Sequence, residues 1–448
     1  MLYTNKDLVK LIIPLIIEQV LIMLVGMVDV MMISRVGEAA VSGVSLVDTV
    51  NVLIINIFTA LATGGAVVAG HFLGQKNKER ACDAAWQLVL FSFLSSMVVM
   101  LIFLGVHDFI LKYVFGKIEP DVYENAKIYL IITALSIVPL SVYNATAAIF
   151  RSVNKAMITM LISLMMNALN IGGNYLLIYV IPMGVKGAAI STTLSRTAAA
   201  IVGMLLLFQK KREIHFNGHI TWRMKPDIIK RILYVGLPNG LENSLFQLGK
   251  ILVLSLVSTL GTYAIAANAV AGTVAMFNVL PGMAINYAIL SIASYCVGAG
   301  EMEQVKYYTK KLIFIIYGAM WVLSIGIIFG VDHILNLYHL TAESAALTAQ
   351  VVRFHAIMAM FFWAPSFSIT NMLRAAGDVI YPTIISAVSM WVFRIGSAYL
   401  LCGYFHMGLM GVWIAMVIDW IFRAACFLFR YKQGRWQYVY RKKDKELV

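Results

Sequence analysis

The segment IPLIIEQVLIMLVGMVDVMMISRVG, residues 13–37, decides the fold class, because so long an apolar stretch does not suit a water-soluble domain. About twenty apolar residues in a helix span the ~30 Å hydrocarbon core of a bilayer. The rest of the chain has the same character: of its 448 residues 61% are hydrophobic and 13% charged, and its mean hydropathy is +0.83. The sequence therefore predicts an all-α polytopic protein surrounded by lipid.

Twelve stretches of this kind are predicted to cross the membrane. They cover residues 9–33, 46–70, 86–106, 126–148, 157–180, 187–208, 232–257, 270–293, 312–331, 351–373, 381–403 and 409–430. Because twelve is an even number, both ends of the chain are expected on the same side of the membrane.

The basic residues tell which side that is. The net charge is +13, and 25 of the 35 Lys and Arg residues fall in the N-terminus, the even-numbered connections and the C-terminal tail. Five lie on the opposite side: Arg35, Lys112, Lys117, Lys127 and Lys186. By the positive-inside rule both termini are cytoplasmic. We expect a monomeric, multi-pass protein of the inner (plasma) membrane, with no nucleic-acid partner.

The chain is predicted to consist of two repeated halves. Domains are expected at 1–208 and 232–430, with a cytoplasmic linker at 209–231 and a basic tail at 431–448. An offset of 224 residues matches Pro14 with Pro238, Glu18 with Glu242, Gly37 with Gly261, Gly74 with Gly298, Asp108 with Asp332, Gly184 with Gly408 and Gly187 with Gly411. Six helices per half form a parallel repeat, for which alternating access around a central cleft is the natural mechanism.

The motifs of other classes are missing. The sequence contains no GxxxxGK[ST] phosphate loop, and its four Cys and eight His residues lack metal-ligand spacing. We therefore expect a secondary transporter rather than an enzyme or an ATP-driven pump, with H⁺ or Na⁺ as the coupling ion and no other cofactor or metal.

Several runs resemble the multidrug and toxic compound extrusion (MATE) family. They are residues 13–37, ATGGAVVAGHFLGQKN (62–77), GVKGAAISTTLSR (184–196), VGLPNGLENSLFQLGK (235–250), IAANAV (265–270) and LRAAGDVIYP (373–382). The resemblance implies two pseudo-symmetric six-helix bundles in a V shape, and cation-coupled export of amphipathic, often cationic compounds. The alternative is a flippase for lipid-linked or polysaccharide substrates, which would favour a strongly cationic cleft.

Asp29 is the leading candidate for the coupling site. A carboxylate inside a membrane helix is costly, so it marks a function by default. Glu18 precedes it by eleven residues and shares its helix face at ~100° per residue. Burial disfavours the charged form of a carboxyl, which would let Asp29 exchange a proton. The alternative role for Asp29 is to accept interhelical hydrogen bonds.

The resemblance also implies partners for Asp29. In the family, the first-helix Asp is joined by an Asn and an Asp in the fifth helix and a Thr in the sixth, which here match Asn170, Asn174 and Thr192. The amide at Asn174 replaces a carboxylate, so H⁺ becomes a better candidate than Na⁺. Asn170 and Asn174 could instead be ordinary interhelical hydrogen-bonding residues.

The seventh helix carries Glu242, Gln247 and Lys250, predicted as polar residues of the cleft together with Glu18. Phe246 and Gln247 lie nearest to the position where some family members have an acid. Two interpretations of Lys250 stay open: a tethered cation in a half without its own ion site, or a side chain that extends towards water.

The last two helices carry Arg394 and Asp419, which antiparallel packing would place at similar depth. We predict a structural ion pair, with Arg423 as a second possible partner. Asp48, Asp108 and Asp332 are expected near helix ends, in contact with solvent.

Overall fold

The computed structural model describes residues 2–114, 119–338 and 340–440, so Lys117 and residues 441–448 of the predicted tail lie outside the described residues. The described residues form helices and short connections, without a strand. Eleven of these helices are long and apolar enough to cross a membrane. A bent pair of helices makes a twelfth crossing, as predicted.

The helices follow one another with short connections. They are α1 (Asn5–Ser34), α2 (Glu38–Gly74), α3 (Lys78–Phe109), α4 (Pro120–Leu135), α5 (Ile137–Ser152), α6 (Ala156–Asn174), α7 (Gly184–Leu207), α8 (Pro226–Ser258), α9 (Thr262–Gly298), α10 (Met302–Leu335), α11 (Ala342–Ala375), α12 (Ile380–Val388), α13 (Ser397–Gly403) and α14 (Gly408–Gln433). Wider π-helical turns extend α3 and α6 and join α12 to α13, at Ile110–Val114, Tyr175–Val180 and Ser389–Gly396.

The helix boundaries repeat in the two halves. Gly37 precedes α2 with φ +139°, and its partner in the repeat, Gly261, precedes α9 with φ +101°. Residues with a Cβ rarely adopt such angles, so glycine is required at both positions. The α-helix satisfies its own backbone hydrogen bonds, which is why each apolar stretch between these turns is helical in lipid.

The fourth crossing is bent by 47° between α4 and α5. The bend lies at Ser136, and Pro139 follows in the first turn of α5, where its missing N–H breaks no helical hydrogen bond. The Ser136 hydroxyl donates to the carbonyl of Thr133 at 2.7 Å and accepts from Arg196 Nη1 at 2.7 Å. A side chain of α7 therefore holds the bend from outside the helix.

The helices form two compact units, Tyr3–Gly240 (the N-terminal unit) and Leu241–Val448 with Met1–Leu2 (the C-terminal unit). The division lies inside α8, whereas the sequence placed it in the linker 209–231. Steric contact explains the difference: a Cβ at Gly64 of α2 would lie 2.5 Å from the carbonyl oxygen of Ile232. The first part of α8 thus packs closely on α2.

The linker itself is fastened to α3. The indole of Trp86 donates to the carbonyl of Thr221 at 2.8 Å, and the Gln87 amide donates to that of Arg223 at 3.0 Å. Asp83 forms an ion pair with Lys225 at 2.5 Å. These contacts make residues 221–225 part of the N-terminal unit.

Candidate functional site

Asp29 lies near the carboxyl end of α1, opposite the polar face of α6. The Asn174 amide nitrogen donates to Asp29 Oδ1 at 2.8 Å. Asn170 and Asn174 are both buried, one helical turn apart on this face. The structure therefore brings Asp29, Asn170 and Asn174 together.

The amide of Asn170 completes the contact with the carboxylate. When its nitrogen faces Asp29, it donates to Oδ1 at 2.7 Å and to Oδ2 at 3.2 Å, and its oxygen accepts from the Thr192 hydroxyl at 3.2 Å. This orientation is the physically reasonable one, because the opposite one sets the amide oxygen against the carboxylate. All four residues proposed for the coupling site thus form one hydrogen-bonded group.

Two charged residues that were not predicted near Asp29 also belong to this group. Asp48 of α2 and Arg196 of α7 interact electrostatically with Asp29 and with each other. Asp48 also accepts hydrogen bonds from Asn51, at 3.3 Å, and from Tyr129. The carboxylates of Asp29 and Asp48 therefore share one nearby guanidinium, that of Arg196.

Asp48 was expected near a helix end because the second span was predicted to begin at residue 46. In the structure α2 begins at Glu38, so Asp48 lies well inside the helix. The charge of Asp48 in the apolar run SLVDTVNVL and that of Arg196 in ISTTLSRTAAA were the signals that could have revealed both residues.

Glu18 does not have the predicted role of a polar residue open to a cleft. It is 2% exposed, its Oε1 lies 3.3 Å from Arg151 Nη1, and its Oε2 accepts from the Thr159 hydroxyl at 2.9 Å. Glu18 and Asp29 do share one face of α1, as the helical phase predicts, because both contact α6. The eleven-residue step from Glu18 to Asp29 matches that from Thr159 to Asn170, so α1 and α6 run parallel.

Glu242 is the counterpart of Glu18 in the C-terminal unit and is also buried. Its carboxylate lies 2.5 Å from Arg374 and 3.2 Å from Arg423. The two halves thus repeat a buried ion pair, Glu18 with Arg151 and Glu242 with Arg374. Arg423, expected beside Asp419, contacts Glu242 instead, because that carboxylate has a second oxygen free to accept its guanidinium.

The residues predicted as an ion pair, Arg394 and Asp419, lie 3.6 Å apart from Nη1 to Oδ2. Asp419 also accepts a hydrogen bond from Ser389.

Asp108 and Asp332 lie near helix ends, and each is paired with a basic residue of the next helix: Lys127 at 3.1 Å and Arg353 at 2.7 Å.

Lys250 is solvent-accessible and lines a cavity of about 480 Å³ inside the C-terminal unit. Its ammonium lies 5.2 Å from the centre of the Phe246 ring. Among the described residues it interacts electrostatically with Arg394 and with no carboxylate. Gln247 is half-buried and does not line this cavity.

A helical protein with about twelve crossings, a repeated half and ionisable side chains inside the membrane is a membrane transporter of the two-bundle class. The sequence model of the MatE family matches residues 14–176 and again residues 238–400, with the same 224-residue displacement as the repeat. The chain therefore belongs to the MatE family. Members of this family are transporters, not enzymes.

Relatives and solved structures agree with this assignment. The probable multidrug resistance protein NorM of Thermotoga maritima is 26% identical over 97% of this chain and 93% of its own length. The uncharacterised transporter YisQ of Bacillus subtilis is 25% identical over 94% and 93%. A solved multidrug resistance MATE transporter of the MOP superfamily, in an outward-facing conformation, has a TM-score of 0.90 at 22% identity over 96% of both chains. That similarity shows the shared fold.

Proposed function

We propose that this protein is an H⁺-coupled antiporter that exports amphipathic organic compounds, cationic drugs among them, and that Asp29 is its proton-binding group. The observation that carries the proposal is the carboxylate of Asp29, held inside a membrane helix by the amides of Asn170 and Asn174. Drug export is supported by the similarity to relatives described as multidrug resistance proteins.

The set of side chains around Asp29 favours H⁺ over Na⁺ as the coupling ion. A metal cation of this kind needs several oxygen ligands directed at it, whereas here two amide nitrogens point at the carboxylate. The amide at Asn174 also removes a negative charge that a Na⁺ site would use.

A proton on Asp29 would change these contacts in a definite way. The neutral carboxyl loses its attraction to Arg196 and gains an O–H donor, which requires an acceptor. The buried Oδ1 of Asn174 has no hydrogen-bond partner among the described residues, so a turned amide could receive that donor. Proton binding is thereby linked to the packing of α1 against α6 and α7.

The arrangement in the membrane is part of the same proposal. We place the protein in the inner (plasma) membrane as a monomer with both termini cytoplasmic, on the charge asymmetry of its connections. The N-terminal and C-terminal units would alternate access to the substrate, with the tail 431–448 in the cytoplasm. Export then requires a proton moving inward as substrate moves outward.

The test is transport in proteoliposomes under an imposed gradient. Ethidium or norfloxacin flux is measured with a pH gradient alone and with a Na⁺ gradient alone, for the native protein and for Asp29→Asn. We expect the pH gradient to drive flux and Asp29→Asn to abolish the gradient-driven part. Asp332→Asn, which neutralises an exposed carboxylate at a helix end, is the matched control and should keep full flux.

Two results would contradict the proposal: gradient-driven flux that persists in Asp29→Asn, or flux that follows Na⁺ and ignores pH. Passive equilibration by Asp29→Asn, with substrate still moving down its own gradient, would show that the variant is folded and uncoupled.

A flippase for lipid-linked substrates is the second candidate, and one observation favours it. Lys250 and Arg394 both line the cavity of the C-terminal unit, which gives it the cationic character that such a substrate needs. A flippase of this kind would be expected to have more than twelve membrane crossings. The eleven or twelve crossings among the described residues therefore weigh against it.

A further inference from the structure

The cavity in the C-terminal unit has the size and lining of a site for a small organic molecule. Its volume of about 480 Å³ lies in the ~300–1,000 Å³ range of ligand pockets. Three tryptophans, Trp363, Trp413 and Trp420, supply flat apolar surface, and Met276 and Met283 supply side chains that adjust to different shapes. An aromatic or otherwise apolar body would fit between these residues.

Two cations extend into this apolar space. Lys250 Nζ and Arg394 Cζ lie 5.2 and 5.1 Å from the centre of the same ring, Phe246. Both distances are within cation–π range, so the ring holds the two charges in one part of the cavity. The described residues that line the cavity include no Asp or Glu.

The carboxylates around the cavity do not balance these charges. Glu242 is shared by two guanidinium groups, those of Arg374 and Arg423. Asp419 faces Arg394 at 3.6 Å, which is longer than the ~2.7–2.9 Å of a charge-assisted hydrogen bond.

Among these described residues, the two carboxylates of Glu242 and Asp419 are therefore outnumbered by four cations. The cations are Arg374, Arg394, Arg423 and Lys250. An incoming anion would meet this unbalanced positive charge in a cavity whose apolar walls reduce screening by water.

We propose that this cavity binds amphipathic organic anions, an apolar or aromatic body that carries one carboxylate, sulfonate or phosphate, with Lys250 and Arg394 as the groups that hold the anion. The proposal adds amphipathic anions to the compounds that the protein would export, and it rests on the proposed export of amphipathic compounds. Lys250 presents a mobile ammonium and Arg394 a planar guanidinium, which together accommodate anions of different shape.

Binding is measured by isothermal titration calorimetry on the full chain in dodecyl maltoside, with two ligands that share one ring system. 2-Naphthoate carries a negative charge and 2-naphthylmethylammonium a positive one. We expect the native protein to bind the anion at least tenfold more tightly than the cation. This comparison needs no variant, so it does not depend on the folding of one.

Variants then test whether Lys250 holds the anionic group of the ligand. Lys250→Gln should weaken 2-naphthoate binding roughly tenfold, the effect of losing one hydrogen bond to a charged group. Lys250→Arg should restore binding to within about threefold of the native value. Lys310→Gln is the matched control: Lys310 also lies over a ring, that of Phe314, but outside the cavity, and its loss should change nothing.

Equal affinity for the two naphthalene ligands, or undiminished 2-naphthoate binding by Lys250→Gln, would overturn the proposal. Competition identifies the natural source of the anion: displacement by 2-naphthalenesulfonate indicates a soluble compound, and displacement by dihexanoyl phosphatidate indicates a lipid headgroup. Either displacement supports the anion site. Because binding is measured without a gradient, its failure is distinguishable from a failure of proton coupling, which appears only in flux.

Discussion

Breaking the buried ion pair of the N-terminal unit should destabilise the protein strongly. Glu18 is 2% exposed and lies 3.3 Å from the Arg151 guanidinium. Removing one partner of a buried pair costs about 3–5 kcal/mol, because the other charge is left buried and uncompensated. Glu18→Gln keeps the shape and an acceptor for Thr159, so we expect the low end, about 3 kcal/mol, or roughly a hundredfold in the unfolding equilibrium.

Unfolding of the purified protein in mixed micelles with a rising SDS fraction measures this free energy, followed by tryptophan fluorescence. The control is Asp332→Asn, which breaks an ion pair with Arg353. The side chain of Asp332 is 65% exposed and that of Arg353 is 42% exposed. An exposed pair contributes about 0–1 kcal/mol, so the control should shift the transition little.

Equal, small shifts for Glu18→Gln and Asp332→Asn would refute this reasoning. The double variant Glu18→Gln/Arg151→Gln provides a second check. It removes the guanidinium together with its carboxylate partner, so its free energy of unfolding should exceed that of Glu18→Gln alone. If the double variant were the less stable of the two, burial of an uncompensated charge would not be the cause.

Two further changes test the coupling site and the packing of α8. Asn174→Asp adds a carboxylate directly beside Asp29, so flux in proteoliposomes should become responsive to a Na⁺ gradient; a response to pH alone would contradict the role given to the amide. Gly64→Ala places a Cβ 2.5 Å from the Ile232 carbonyl oxygen and 2.8 Å from the Gly236 nitrogen. It should lower the free energy of unfolding by about 1–3 kcal/mol, whereas Gly318→Ala, where space is open, should be neutral or stabilising; equal effects would contradict close packing there.

The sequence predicted much of the fold because lipid leaves few choices. Long apolar runs must be helical, and glycines such as Gly37 and Gly261 mark where they end. The boundary between the units was harder to predict, since it depends on contacts such as that of Gly64 with Ile232, which join segments far apart in the chain. Composition alone favoured the basic connection 209–231 as the boundary.

The group of polar side chains around Asp29 was predicted in part. Asp29 could be found because its charge is isolated in an apolar helix, and the spacing of Asn170 and Asn174 placed two amides on one face. The roles of Glu18 and Arg423 could not be derived, because a helical phase gives the direction of a side chain and not its partner. Glu18 faces α6 as predicted, yet it meets Arg151 there, and only tertiary packing decides that.

The repeated pair of Glu18 with Arg151 and Glu242 with Arg374 has a consequence for how such a protein can change over generations. A duplicated half keeps its framework through this pair, while residues elsewhere in each copy are free to diverge. Here one copy has acquired the acidic group around Asp29 and the other the basic cavity around Lys250. Mutations around the basic cavity can then accumulate in one copy without disturbing the acidic group in the other.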